Sequence, residues 1–101
     1  MSKFGDLIDV EVPVLFDFFT EWDDASITMN EVLKDVVASL GDKIKVIKID
    51  VDKNQPLSEA LRIKSTPTLI IYKAGDMKWR QSGKFESNTI INILQNHFWN
   101  R

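Results

Sequence analysis

Residues 13–26 read PVLFDFFTEWDDAS. The proline fixes the backbone where the run begins, and VLFDFF (14–19) is rich in β-favouring apolar residues, broken by one acid, Asp17. Side chains alternate along a strand, so Val14, Phe16 and Phe18 share one face and Asp17 lies on the other. A strand apolar on both faces belongs in the middle of a sheet covered on both sides. Directly after it, Met29, Val32, Leu33, Val36, Val37 and Leu40 recur at i, i+3, i+4, i+7, i+8 and i+11. That spacing predicts a helix over 27–40, stopped by Gly41 as a left-handed cap.

The pattern extends outward from this strand–helix pair. Residues 44–51 (IKVIKIDV) alternate and read as a strand. A short helix over 57–62 follows Pro56. Residues 68–72 (TLIIY) form a second buried strand, and Ala74-Gly75-Asp76 turns the chain into an antiparallel strand over 77–81. A closing helix over 87–98 has Ser87 as its cap and Ile90, Ile91, Leu94 and Phe98 facing inward. At the other end, Phe4, Leu7 and Ile8 have helical spacing within residues 3–10. The order α-β-α-β-α-β-β-α predicts an α/β fold: a mixed four-stranded sheet with helices on both faces. The first two strands should be parallel through a right-handed crossover, the last two antiparallel, with 68–72 beside 14–19 in the middle.

Composition bounds the function. The chain has 101 residues and 11.6 kDa, which suits a single domain over 1–101. A chain this size buries roughly 60–70% of its unfolded surface, enough for a core without staples. There is no cysteine, which excludes disulfides, thiolate metal sites and cysteine nucleophiles. The formal net charge of −2 carries no basic excess of the kind that nucleic acid or an anionic membrane attracts. The charge is uneven: residues 1–24 hold seven acids and one base, and the remainder eight acids and twelve bases. Either the first segment has a solvated acidic face, or it surrounds its site with an anionic patch. No signal-peptide pattern opens the chain, so a cytoplasmic location is expected, or a periplasmic one after leader removal. Glu21, Asp23 and Asp24 match no calcium-loop spacing, and the four glycines (5, 41, 75, 83) form no phosphate loop. Neither a metal nor a cofactor is expected.

Four stretches carry a family resemblance: PVLFDFFTEW (13–22), KVIKIDVDKN (45–54), STPTLIIYKAGD (65–76), and Gly83 after the last strand. Over nearly its whole length the chain resembles thioredoxin. The resemblance implies the thioredoxin-like fold, without its usual first, peripheral strand. It also exposes a departure. Thioredoxins carry Trp-Cys-x-x-Cys, whereas this chain has Trp22-Asp23-Asp24-Ala25-Ser26. Asp23 and Ser26 stand where the two thiols would be. Exchange requires a thiolate to attack a disulfide sulfur, and neither a carboxylate nor an alcohol can replace it.

What remains at the site invites two kinds of reading. Asp23 or Asp24 suits a helix N-cap, and Asp23 also suits a recognition rim. The resemblance makes Asp17 the buried acid behind the active site and Lys48 the lysine near it, an inherited pair whose proton-transfer role has lost its client. Thr66-Pro67 resembles the family's cis-proline loop, where the residue before the proline offers its backbone to an extended substrate. Trp22 either covers the loop or serves as an apolar platform for a peptide. Trp79 and Trp99 read as packing residues, and His97 as a surface residue.

Three functions follow. The leading expectation is a redox-inactive binding module that takes protein or peptide in a groove formed by Trp22, Asp23, Asp24, Ala25, Ser26, Thr66 and Pro67, with an acidic rim favouring basic or neutral partners. The second is membership by descent in the thioredoxin disulfide oxidoreductases, whose thiol–disulfide exchange serves cell redox homeostasis, with a sequence unable to perform it. The third is a non-redox enzyme using Asp17, Asp23 or Ser26.

Overall fold

The computed structural model describes residues 3–98. Its elements are α1 (Lys3–Ile8), β1 (Val14–Phe19), α2 (Asp24–Leu40), β2 (Lys45–Asp50), α3 (Gln55–Ala60), β3 (Thr68–Lys73), β4 (Asp76–Ser82) and α4 (Ser87–Gln95). Two 3-10 turns, Gly41–Lys43 and Val51–Lys53, flank β2. The sheet order is β2-β1-β3-β4. β1 runs parallel to β2 and antiparallel to β3, and β3 is antiparallel to β4. The mixed four-stranded sheet expected from the sequence is present, with β1 and β3 in its middle.

Alternation along β1 divides the core in two. Leu15, with Leu69 and Ile71 of β3, faces Met29, Leu33, Val36 and Leu40 of α2 and Ile90 and Leu94 of α4. Val14, Phe16 and Phe18, with Ile70 and Tyr72, face the other way, where Phe4, Leu7 and Ile8 of α1 and Leu57 of α3 pack. The N-terminal segment is also pinned by backbone bonds, from the Ala74 N–H to the Val10 carbonyl and from the Gly75 N–H to the Ile8 carbonyl. The β3–β4 turn places Ala74 at φ 52° and Gly75 at φ 87°. Two successive positive φ values match the twist of a two-residue hairpin.

Element ends depart from periodicity where backbone geometry or capping governs. α2 begins at Asp24, one turn before its apolar stripe, because Asp23 caps it. Gly41 has the expected positive φ of 56°, but its ψ of −131° leads into a 3-10 turn instead of the left-handed helical basin. α3 spans Gln55–Ala60, not 57–62, since Arg62 at φ 55° cannot be helical. α4 is capped at Glu86 instead of Ser87 and ends at Gln95. Ile91 and Phe98 are only partly buried, and Val37 is 45% exposed despite lying on the α2 stripe. Trp79 packs against the α2–α4 core as expected, whereas Trp99 lies outside the described residues. Lys73 carries no mark in the sequence. It is buried at the end of β3, and its ammonium donates to the carbonyls of His97 and Phe98, tying the turn after α4 to the sheet. His97 is half-buried, and that burial, with Lys78 and Lys73 nearby, lowers its pKa.

The two sides of α2 should respond differently to truncation. Met29→Ala, at a fully buried position, is expected to cost about 2–5 kcal/mol. Val37→Ala should stay within about 0.5 kcal/mol of wild type. Urea unfolding of both variants checks this, and equal costs would contradict the assignment of faces.

Candidate functional site

β1 ends at Phe19, and the chain reaches α2 through Thr20, Glu21, Trp22 and Asp23. Asp23 is the N-cap of α2. Its Oδ1 accepts from the Ala25 N–H (3.2 Å), one of the donors that a helix leaves unpaired at its start. Its Oδ2 accepts from the Ser26 hydroxyl (3.1 Å) and from the Thr66 hydroxyl (2.9 Å). One carboxylate therefore joins the first turn of α2 to the loop before β3. Ser26 is buried, and its oxygen also accepts from the Thr20 N–H (3.3 Å). Thr20, a buried residue to which the sequence assigns no role, closes the cluster from the β1 side. Little in its sequence neighbourhood marks it, because its role depends on a residue six positions ahead.

The peptide bond between Thr66 and Pro67 is cis, and Pro67 is buried. The Thr66 hydroxyl, before the other contacts, holds Asp23 below the usual carboxylate range; the Ala25 N–H and Ser26 hydroxyl act in the same direction, against the opposing effect of burial. Asp24 is exposed on the first turn of α2 and takes no part in the clasp, so of the two acids Asp23 is the cap. Trp22 is 76% exposed beside this cluster, and its indole N–H donates to Asp52 Oδ2 at 3.3 Å. Glu21 lies 3.8 Å from Lys53. The structure thus gathers Asp23, Ser26 and Thr66 into one network, with Trp22 at its rim and Asp24 turned to solvent.

Asp17 and Lys48 depart from the expected pair. They are register partners on β1 and β2, but Lys48 donates to Asn30 Oδ1 and lies 4.8 Å over the Phe19 ring. Asp17 is fully buried, and among the described residues neither of its oxygens has a hydrogen-bond partner. Burial raises its pKa to about 6, with the Lys48 charge pulling the other way. The relation is a field across two strands without a contact. Lys48 has a long side chain with a nearer acceptor on α2, which strand register alone could not reveal. Among the described residues, no group of three or more histidine or acidic side chains is placed to hold a metal ion.

A family model described as Thioredoxin matches residues 1–96. The chain belongs to the thioredoxin family. It is 36% identical over 95 residues to "Thioredoxin Y, chloroplastic" of Oryza sativa subsp. japonica, covering 93% of this chain but only 56% of the rice protein. It is 27% identical over 92 residues to "Thioredoxin" of Rickettsia bellii (strain RML369-C), covering 91% of this chain and 88% of that one. Among solved structures, thioredoxin-2 of the malaria parasite superposes with a TM-score of 0.83 at 28% identity, covering 85% of this chain and 84% of the other. A mutant thioredoxin from Halobacterium salinarum NRC-1 superposes with a TM-score of 0.87, covering 100% and 88%; at 22% identity it speaks to the fold alone. This member of the thioredoxin family has no cysteine, and the first turn of α2 carries a capping carboxylate with a hydroxyl bonded to it. Among the described residues, no helix is long and apolar enough to cross a membrane.

The two acids should have opposite pH signatures. Asp17 has a folded pKa near 6 against 3.8 unfolded. Its charge therefore costs nothing below 3.8, costs progressively more as pH rises, and costs its full amount, on the order of 2–3 kcal/mol, above 6. Relative to wild type, Asp17→Asn should gain stability between pH 4 and pH 8 in denaturant titrations; a pH-independent difference would contradict this. Asp23 has a lowered folded pKa, so its contribution is complete above 3.8 and is lost as pH falls further. Asp23→Ala should lower the urea midpoint at pH 7, with the deficit disappearing in strong acid. An unchanged midpoint at pH 7 would remove the clasp.

Proposed function

We propose that this chain is a redox-inactive member of the thioredoxin family that binds protein or peptide segments in the groove between Trp22–Ser26 and the Thr66-Pro67 loop. The observation that carries the reading is the Asp23 carboxylate bridging Ser26 and Thr66. It holds together the two walls that flank the redox site in the family, and it contains no sulfur. The fold that presents the groove is kept, and the atoms that would exchange electrons with a disulfide are replaced.

Several features support binding at this place. Trp22 presents most of its ring to solvent, and exposed aromatics supply much of the energy at interfaces. Asp23 fixes the Thr66 side chain through its hydroxyl, which leaves the Thr66 backbone to pair with an extended segment in a strand-addition mode. Asp23 and Asp24 at the start of α2 and Asp52 beside Trp22 put carboxylates near this place, which favours basic or neutral partners in a salt-sensitive way. Burial argues against a non-redox enzyme. Asp17 is fully buried and Ser26 is 1% exposed, so neither presents its oxygen to a substrate. Asp23, held below the ordinary carboxylate range, is a weak base. The reading places the protein in the cytoplasm; recovery from an organelle fraction, as the name of the chloroplastic rice relative would suggest, would relocate it.

A two-part measurement tests the proposal. Insulin reduction with supplied dithiothreitol should show no rate above the uncatalysed background. Fluorescence anisotropy with labelled, unstructured peptides should show saturable binding of basic and neutral sequences, weakening with salt. Trp22→Ala should weaken that binding about tenfold. Catalysed insulin reduction would overturn the redox-inactive claim, and equal peptide binding by wild type and Trp22→Ala would overturn the groove.

A further inference from the structure

Thr66 is the open link in the loop before β3. On one side of it, the Ser65 carbonyl accepts from the Thr68 hydroxyl at 2.6 Å. On the other, the Pro67 carbonyl accepts from the Gly83 N–H at 2.9 Å. Among the described residues, neither the N–H nor the carbonyl of Thr66 has a hydrogen-bond partner. A residue followed by proline is held in extended backbone, so this donor and this acceptor point to the same side, as they do along a strand edge. One residue with one free pair fixes a register. An extended segment added antiparallel exchanges both bonds with Thr66 through a single residue of its own, about 5.5 Å away between Cα atoms.

Side chains of directly opposed residues share one face of such a pair, and the Thr66 side chain identifies that face. Its hydroxyl donates to Asp23 Oδ2 at 2.9 Å and lies 3.5 Å from the Thr20 hydroxyl. The opposed side chain of the added segment therefore also points to the start of α2, where the charge is negative. Asp23 is held below the ordinary carboxylate range, so it is ionised at neutral pH. A carboxylate offers about four acceptor sites; Ala25, Ser26 and Thr66 take three, and one is left for a further N–H. Asp24, the next residue, is exposed and has no ion-pair partner among the described residues. Lys53 is engaged by Glu21, and Lys64, exposed two residues before Thr66, pairs with neither acid.

We propose that Asp23 is the specificity-determining residue of the groove: it selects an extended segment of a partner protein that carries a lysine or arginine at the position directly opposite Thr66. The one acceptor site left on Asp23 takes one N–H, so either cation serves. The residues on each side of that position turn their side chains away and are free to vary. The inference rests on the groove reading above and adds to it a register and the side chain that reads it.

The test uses the 101-residue chain and a short, acetylated, amidated, fluorescein-labelled peptide of Ser, Thr and Val with one central Lys, beside its counterpart with Gln in place of the Lys. Fluorescence anisotropy should show the Lys peptide binding about tenfold more tightly than the Gln peptide. Asp23→Asn removes the charge and keeps a residue that caps helices equally well; its melting curve verifies folding, and it should bind the two peptides equally. On the wild-type chain, N-methylating the amide of the peptide's Lys should abolish binding, because that N–H is the one that reaches the Thr66 carbonyl, while N-methylating either flanking residue should be tolerated. A Lys preference that survives Asp23→Asn, or flanking methylation as damaging as methylation at the Lys, would overturn the proposal. Binding that depends on Trp22 but shows no Lys preference would overturn this inference alone. Absence of binding by both peptides would overturn the groove reading and this inference with it.

Discussion

The middle of the sheet has no solvent side. Val14, Leu15, Phe16, Asp17 and Phe18 of β1 are fully buried, which requires cover on both faces and a strand neighbour on both edges. α2 and α4 supply one cover, and α1 and α3 the other. β2 and β3 supply the neighbours. The direction of β1 aims its end at the turn through Thr20 and Trp22, and so sets where α2 begins and where the Thr66-Pro67 loop must meet it. The site is a consequence of keeping β1 dry.

Within that strand Asp17 is the costly residue. Its carboxylate has no hydrogen-bond partner among the described residues, and only the Lys48 charge favours ionisation. Burial of a charge without close compensation opposes folding at neutral pH. Asp23 is the contrasting acid. It lies at a helix N-terminus and accepts three hydrogen bonds, an arrangement that favours the ionised form. Of the two acids, Asp23 favours folding when ionised and Asp17 opposes it.

How much of this could be read from residues alone depends on range. The VLFDFF run, the 3.6-residue stripe of α2 and the alternation in β2 are local signals, and they placed the strands, their directions and the central pair correctly. Element ends were less legible, because Asp23 as cap and Arg62 at positive φ override periodicity at single residues. At the site, the replacement of both cysteines was evident from spacing once the family resemblance was seen. The hydroxyl of Thr66 reaching Asp23 across 43 positions was not, nor was the Thr20–Ser26 bond. Lys48 illustrates the same limit, since register placed it beside Asp17 while Asn30 captured its ammonium.

In the function we propose, the thioredoxin fold keeps a binding groove while exchange chemistry is absent, because the side chains at positions 23 and 26 lack sulfur. The most direct measurement is the insulin reduction rate of the Asp23→Cys/Ser26→Cys double variant beside wild type, with folding of both verified by circular dichroism. Wild type should be inert and the double variant should reduce insulin well above background, because the fold, the cis Thr66-Pro67 loop and the buried Asp17 are already in place. A folded double variant as inert as wild type would contradict it.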